Sequence, residues 1–78
     1  MTQFEKAIKY VRKNATWTDA ELQAARDKTY RYHYGIQQAD PSIADDICDL
    51  MEEYGEDHDL PEGWWLEYGD EDDVFNKL

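Results

Sequence analysis

Apolar residues recur with the spacing of an amphipathic helix in three stretches of the chain. The first stretch has apolar residues at i, i+3, i+4 and i+7, namely Phe4, Ala7, Ile8 and Val11. This spacing predicts a helix over residues 3–14 with one apolar face. Thr2 and Glu5 match a capping box, in which two side chains satisfy N–H groups at the start of a helix.

A second helix is predicted to begin at Thr18. Thr18 and Glu21 form another capping box, and Trp17, just before it, can pack against Leu22. The apolar face continues through Leu22, Ala25, Thr29 and Tyr32. The tyrosines of the segment TYRYHYG also alternate as in a strand, but they follow an uninterrupted helical pattern. We therefore predict that the helix continues to Gly35, a residue type that often follows the last helical residue.

The third helix has the longest apolar stripe. Asp40 is a suitable N-cap, and Pro41 suits the first helical position. Apolar residues follow at i, i+4, i+7, i+8 and i+11, namely Ile43, Ile47, Leu50, Met51 and Tyr54. The pattern predicts a helix that begins at Pro41 and ends just before Gly55.

Residues 64–78 allow two interpretations. They can form a hairpin, with strands at 64–68 and 74–78 joined by the turn GDEDD. They can instead form a loop and a short helix, which Asp70 would cap, with three acids in its first turn and Lys77 in its last. This order of charges matches the helix dipole, and a lone hairpin is only marginally stable. We therefore prefer the helix.

These elements predict a mainly α fold. A chain of 78 residues supports one small globular domain over residues 1–78. We expect three helices around one core, covered by a Trp-rich lid (residues 64–78) that ends in the short helix. The alternative is an α+β fold with a C-terminal β-hairpin.

Two adjacent tryptophans, Trp64 and Trp65, lie in this lid. Adjacent side chains are not expected to point into the same core, so one should anchor the lid and the other should stay partly exposed. Tryptophan is enriched among the residues that carry most of the energy of protein interfaces. Trp65 is therefore predicted to contact a partner, the alternative being that both rings only cover helix ends.

Charge divides the chain into two unequal halves. Residues 1–34 have seven Lys or Arg and four Asp or Glu, whereas residues 35–78 have one and fifteen, which gives +3 and −14 within the net charge of −11. The acidic half also has many aromatic and branched aliphatic residues, which disordered chains lack. We therefore expect it to be folded.

A cluster of carboxylates is predicted on the side of the third helix opposite its apolar stripe, namely Asp45, Asp46, Asp49, Glu52, Glu53 and Glu56. Over the roughly 16 Å that this part of a helix spans, the charges recur about every 3 Å. The spacing is close to the roughly 3.4 Å between phosphates of one DNA strand. The pattern predicts a module that binds a basic protein as a nucleic-acid mimic or inhibitor. The alternative is a face that only keeps the helix soluble.

A second hypothesis places nucleic-acid contact on the first two helices. The segment RDKTYRYHYG sets cations among tyrosines, a combination suited to phosphates and bases: Arg26, Lys28, Arg31 and His33. The positive charge of this half is modest, and the acidic half would repel a nucleic acid. Direct binding to nucleic acid is therefore not expected, and the same cations can instead attract the acidic half of the domain.

No metal, cofactor or catalytic site is predicted. A calcium loop beginning at Asp57 would place Pro61, Glu62 and Tyr68 where an oxygen ligand, a glycine and a glutamate are needed. Cys48 and the two histidines lack the spacing of a zinc site. Cys48 lies beside the apolar stripe of the third helix, as a half-buried small side chain would. The four glycines are isolated, so no phosphate-binding loop is present, and we expect no enzyme activity.

The sequence also predicts where the protein resides. The first residues carry charges throughout and lack the apolar core of a signal peptide, and no apolar run approaches the roughly 20 residues of a membrane span. With a single cysteine, these features predict a soluble, cytoplasmic protein without membrane contact. A homodimer formed through the tyrosines or a tryptophan is a further alternative.

Overall fold

The computed structural model describes residues 1–30 and 40–78. Within these ranges the chain forms helices and no strand: α1 (Gln3–Asn14), α2 (Asp19–Tyr30), α3 (Pro41–Asp57), a 3-10 helix (Trp64–Glu67) and α4 (Glu71–Lys77). The predicted mainly α fold is confirmed. The alternative hairpin is wrong, because residues 71–77 are helical.

The predicted helix starts are confirmed by their hydrogen bonds. The N–H of Glu5 donates to Oγ1 of Thr2 (3.2 Å), and the N–H of Glu21 donates to Oγ1 of Thr18 (3.1 Å). At α4, Asp70 and Asp73 form a reciprocal capping box, with both N–H···O distances at 3.0 Å. The predicted continuation of the second helix to Gly35 lies outside the described residues.

The end of α3 differs from the prediction. The helix continues through Gly55 to Asp57 and is closed by a Schellman motif, in which the N–H of Leu60 donates to the carbonyl of Gly55 (2.8 Å). The left-handed residue of this motif is Asp59 (φ 56°), a residue type that tolerates this conformation better than most. Gly55 therefore has a role inside the helix, and that role is a packing contact.

The core is organised around α3, which contacts α1, α4 and the 3-10 helix. The apolar faces predicted for α1 and α3 lie in it, with Leu50 only partly buried. On α2, Leu22 and Ala25 are buried, whereas the side chains of Thr29 and Tyr32 lie outside the described residues. The largest fully buried side chains are Trp65, Phe75, Ile47, Met51, Val11 and Val74. None of the helices in the described ranges has the length and apolar content needed to cross a lipid bilayer.

Both tryptophans of the lid are buried, so the expectation that one of them stays exposed is wrong. Trp64 is 8% exposed and Trp65 only 2%. Consecutive side chains of a 3-10 helix point about 120° apart, so a segment enclosed on two sides can bury both. The indole N–H of Trp64 donates to the carbonyl of Met51 (3.1 Å), which fixes the lid on α3.

Candidate functional site

The six carboxylates predicted to bind a partner all lie on α3, and they differ in their hydrogen bonds. Three of them accept hydrogen bonds from other parts of the domain: Asp46, Glu52 and Glu53. The other three are exposed: Asp45, Asp49 and Glu56. We call these three the outer acids of α3.

Glu52 holds the lid in place. Its carboxylate accepts the backbone N–H of Gly63 at both oxygens (2.8 and 3.1 Å). One oxygen also accepts the indole N–H of Trp65 (3.0 Å). Gly63 has a left-handed backbone (φ 73°), which favours glycine at the turn into the 3-10 helix. Glu52 is therefore a structural acceptor as well as a surface charge.

Asp46 and Glu53 connect α3 to the first part of the chain. Oδ2 of Asp46 accepts the indole N–H of Trp17 (2.9 Å). Oε1 of Glu53 accepts the hydroxyl of Tyr10 (2.6 Å). This hydrogen bond, with some desolvation and the charges of Glu53 and Asp57, raises the pKa of Tyr10 from 10.0 to about 12. The two carboxylates thus contact α1 and the segment before α2.

The outer acids are spaced widely along the exposed side of α3. With a rise of about 1.5 Å per residue, Asp45 and Asp49 lie about 6 Å apart along the axis, and Glu56 about 10 Å further on. The even spacing expected from the sequence therefore does not hold for the outermost charges. All six carboxylates nevertheless lie within about a third of the circumference of the helix, at about 100° per residue.

Acidic residues of α4 extend this surface around Cys48. The thiol is half-buried, and Glu71 from the first turn of α4 acts on it together with three acids of α3, namely Asp45, Asp49 and Glu52. Burial and these charges raise the pKa of the Cys48 thiol. A raised pKa disfavours the thiolate, which is the reactive form of cysteine. The cluster therefore adds negative charge to the surface without activating the sulfur.

Trp65 does not form part of this surface, because its ring is buried and its N–H is bonded to Glu52. The exposed large apolar side chains of the lid are Leu66 (56% exposed) and Tyr68 (63% exposed). Neither residue could be singled out from the sequence. Leu66 lies in the 3-10 helix and Tyr68 directly follows it, and so short a segment leaves no periodic pattern.

The cations of α1 and α2 contribute to holding α4. Arg12 donates to the main-chain oxygen of Leu78 (3.1 Å), and Arg26 donates to that of Phe75 (3.1 Å). The guanidinium carbon of Arg26 also lies 5.6 Å from the centre of the Phe75 ring. Both arginines thus connect the first half of the chain to its C-terminal end through main-chain oxygens. Arg31, His33 and the side chain of Lys28, also considered for nucleic-acid contact, lie outside the described residues.

Among the side chains that the structure describes, no group of three or more His, Cys, Asp or Glu is arranged to hold a metal ion. Comparison of the chain with protein-family models, with curated proteins and with solved structures finds no match. Any function must therefore be argued from the surface of the domain itself.

Proposed function

We propose that this chain is a non-enzymatic acidic interaction module, which binds a basic partner protein through α3 in place of a nucleic acid. The observation that carries the proposal is the position of the outer acids. They lie on the exposed side of a helix whose opposite side is packed against α1, α4 and the 3-10 helix. A partner would therefore meet three carboxylates on a supported helix.

The internal hydrogen bonds of α3 favour binding because they order the helix in advance. Asp46, Glu52 and Glu53 anchor it to Trp17, to the lid and to Tyr10. Ordering flexible groups on association lowers affinity, and a helix that is already held avoids most of this cost.

The charge of the second half supports a basic partner. Residues 35–78 carry one Lys and fifteen Asp or Glu, and α4 adds Glu71 to the surface of α3. A negatively charged surface accelerates association with a positively charged protein, and this attraction weakens as salt screens the charges. The alternative nucleic-acid regulator has less support, because Arg12 and Arg26 donate to main-chain oxygens of Leu78 and Phe75.

The proposal is tested by neutralising the outer acids and measuring capture of basic proteins from a native lysate. The test variant combines Asp45→Asn, Asp49→Asn and Glu56→Gln. A matched control combines Glu5→Gln, Asp19→Asn and Asp27→Asn, which removes the same charge from exposed positions elsewhere. We expect a basic protein that duplex DNA displaces to be captured by the natural chain and the control, and lost by the test variant.

Two results would contradict the proposal. Equal loss of capture in both variants would mean that net charge alone attracts basic proteins. Retention of the natural chain on DNA, weakening as salt rises, would favour the nucleic-acid regulator instead.

A further inference from the structure

Two neighbouring surface grooves meet at Leu60. The first has a volume of about 250 Å³ and is mainly apolar, lined by Gln3, Leu60, Pro61, Trp64, Glu67 and Tyr68. The second has a volume of about 260 Å³ and is mainly acidic, lined by Glu52, Glu56, Leu60 and Glu62. Because one side chain lines both, a bound segment can occupy the two grooves at once.

The apolar groove has a wall of ordered aromatic rings. Tyr68 is 63% exposed, yet its ring centre lies 6.0 Å from that of Phe4 and 6.4 Å from that of Trp64. Trp64 is itself fixed by its hydrogen bond to Met51. The exposed face of Tyr68 is therefore a positioned aromatic surface, of the kind that binds apolar side chains and the planar cation of arginine.

The acidic groove presents carboxylates from two elements. Glu52 and Glu56 come from α3, and Glu62 comes from the turn that leads into the lid. The backbone N–H of Gly63 and the indole of Trp65 fix the orientation of Glu52. This side of the surface favours cations, and it repels phosphate and anionic lipid headgroups.

We propose that the two grooves together bind a single basic peptide segment of a partner protein. A large apolar side chain of that segment packs between Leu60 and Tyr68, and its Lys or Arg side chains lie beside Glu52, Glu56 and Glu62. The inference rests on the proposed function, since it assumes a basic partner, and it adds where the partner docks and why it must also be apolar. Carboxylates on one side of the shared leucine and aromatic rings on the other are the complement of such a segment.

The test uses two short synthetic peptides as probes. One alternates Arg with Phe, and the other has Ser in place of each Phe, so the two carry the same charge. Binding to the full chain is measured by calorimetry at about 150 mM salt, where weak long-range attraction is screened. We expect the Phe peptide to bind about tenfold more tightly, as burial of one aromatic side chain would give.

Matched variants locate the binding. Tyr68→Ala should remove the advantage of the Phe peptide. Leu66→Ala, at an exposed apolar residue two positions earlier and outside both grooves, should leave it unchanged. Glu62→Gln should weaken both peptides by a similar factor. Because Tyr68 also contacts two rings of the core, the methyl NMR signals of Leu60 give an independent measurement. They should shift with the Phe peptide on the unaltered chain.

The outcomes separate this inference from the proposed function. Equal affinity for the two peptides, with the outer acids still needed for capture, would contradict binding in the two grooves. The proposed acidic interaction module would remain supported. No binding of either peptide and no capture would reject both. Self-association of the chain that Tyr68→Ala abolishes would also overturn the inference, because a second copy would then be the occupant.

Discussion

The indole of Trp64 lies against the bare Cα of Gly55. A Cβ atom added at Gly55 would lie 2.6 Å from both Cδ1 and Nε1 of Trp64, closer than such atoms approach in proteins. The ring cannot move away easily, because it is buried and its N–H is bonded to Met51. The absence of a side chain at Gly55 is therefore what allows the lid to pack onto α3.

The substitution Gly55→Ala is expected to destabilise the protein by about 1–3 kcal/mol, the usual cost of overpacking a core. The direction of this change in stability is informative, because alanine at an exposed helix position would stabilise the protein by about 1 kcal/mol relative to glycine. Urea unfolding measures the change. In a Trp64→Leu background the destabilisation should shrink or reverse, and an unchanged destabilisation there would contradict the contact as its cause.

The substitution Glu52→Ala is expected to lower the free energy of unfolding by about 1–3 kcal/mol, because two N–H donors lose their acceptor. One of them belongs to Trp65, which has almost no access to water. Glu52→Gln keeps an acceptor oxygen, so its free energy of unfolding should lie between those of the natural chain and Glu52→Ala. The control Glu56→Ala removes the same charge from an exposed position of α3 and should stay within about 0.5 kcal/mol. Equal effects of the two alanine variants would reject the structural role of Glu52.

The phenol of Tyr10 predicts a pH dependence at alkaline pH. Its pKa is raised in the folded protein from 10.0 to about 12, mainly by the hydrogen bond to Glu53. Folding thus favours the neutral phenol, so this contribution to stability is complete below pH 10 and is lost as pH rises toward about 12. Stability in this window should depend less on pH in Tyr10→Phe.

The raised pKa can be measured directly from tyrosinate absorbance. The chain has six tyrosines, so the signal of Tyr10 is obtained by subtracting the titration of Tyr10→Phe. In Glu53→Gln the pKa of Tyr10 should return toward 10.0, whereas in the control Glu56→Gln it should not move. Ordinary titration of Tyr10 in the natural chain would show that the hydrogen bond to Glu53 does not persist in solution.

Loss of Arg26 is expected to loosen α4. Arg26→Ala removes a hydrogen bond to Phe75 and a cation–ring contact, which together should cost about 1–2 kcal/mol. Arg26→Lys should recover only part of the lost stability. Lysine lacks the planar guanidinium that reaches both the carbonyl and the ring of Phe75. Amide hydrogen exchange should accelerate in α4 more than in α1. Lys9→Ala, an exposed cation of α1, serves as the control and should leave α4 unchanged.

The helices could be predicted from the sequence because their signals are local. The capping residues Thr2, Thr18 and Asp40 mark where α1, α2 and α3 begin, and the charge order of residues 70–77 identifies α4 as a helix. The end of α3 was not predictable in this way. Glycine is common both after a helix and at a close contact, and only the position of Trp64 shows which applies at Gly55.

The candidate surface was predicted only in part. Helical spacing places the six carboxylates on α3 away from the core, but it does not show that Glu52 turns toward the lid. That bond joins residues far apart in the sequence. The burial of Trp65 and the exposure of Tyr68 depend equally on tertiary packing, because both belong to one short turn of chain.

All three tryptophans of the chain donate their indole N–H groups to acceptors on α3, at Asp46, Met51 and Glu52. The protein thus contains three natural reporters of a single helix. Two of them sense side-chain carboxylates and one senses a backbone carbonyl. A ligand confined to the carboxylates of α3, outside the groove that Trp64 lines, would disturb the resonances of Trp17 and Trp65 while sparing that of Trp64, whereas unwinding of the helix would disturb all three. The unlabelled indole spectrum can therefore distinguish occupancy of this helix from its loss.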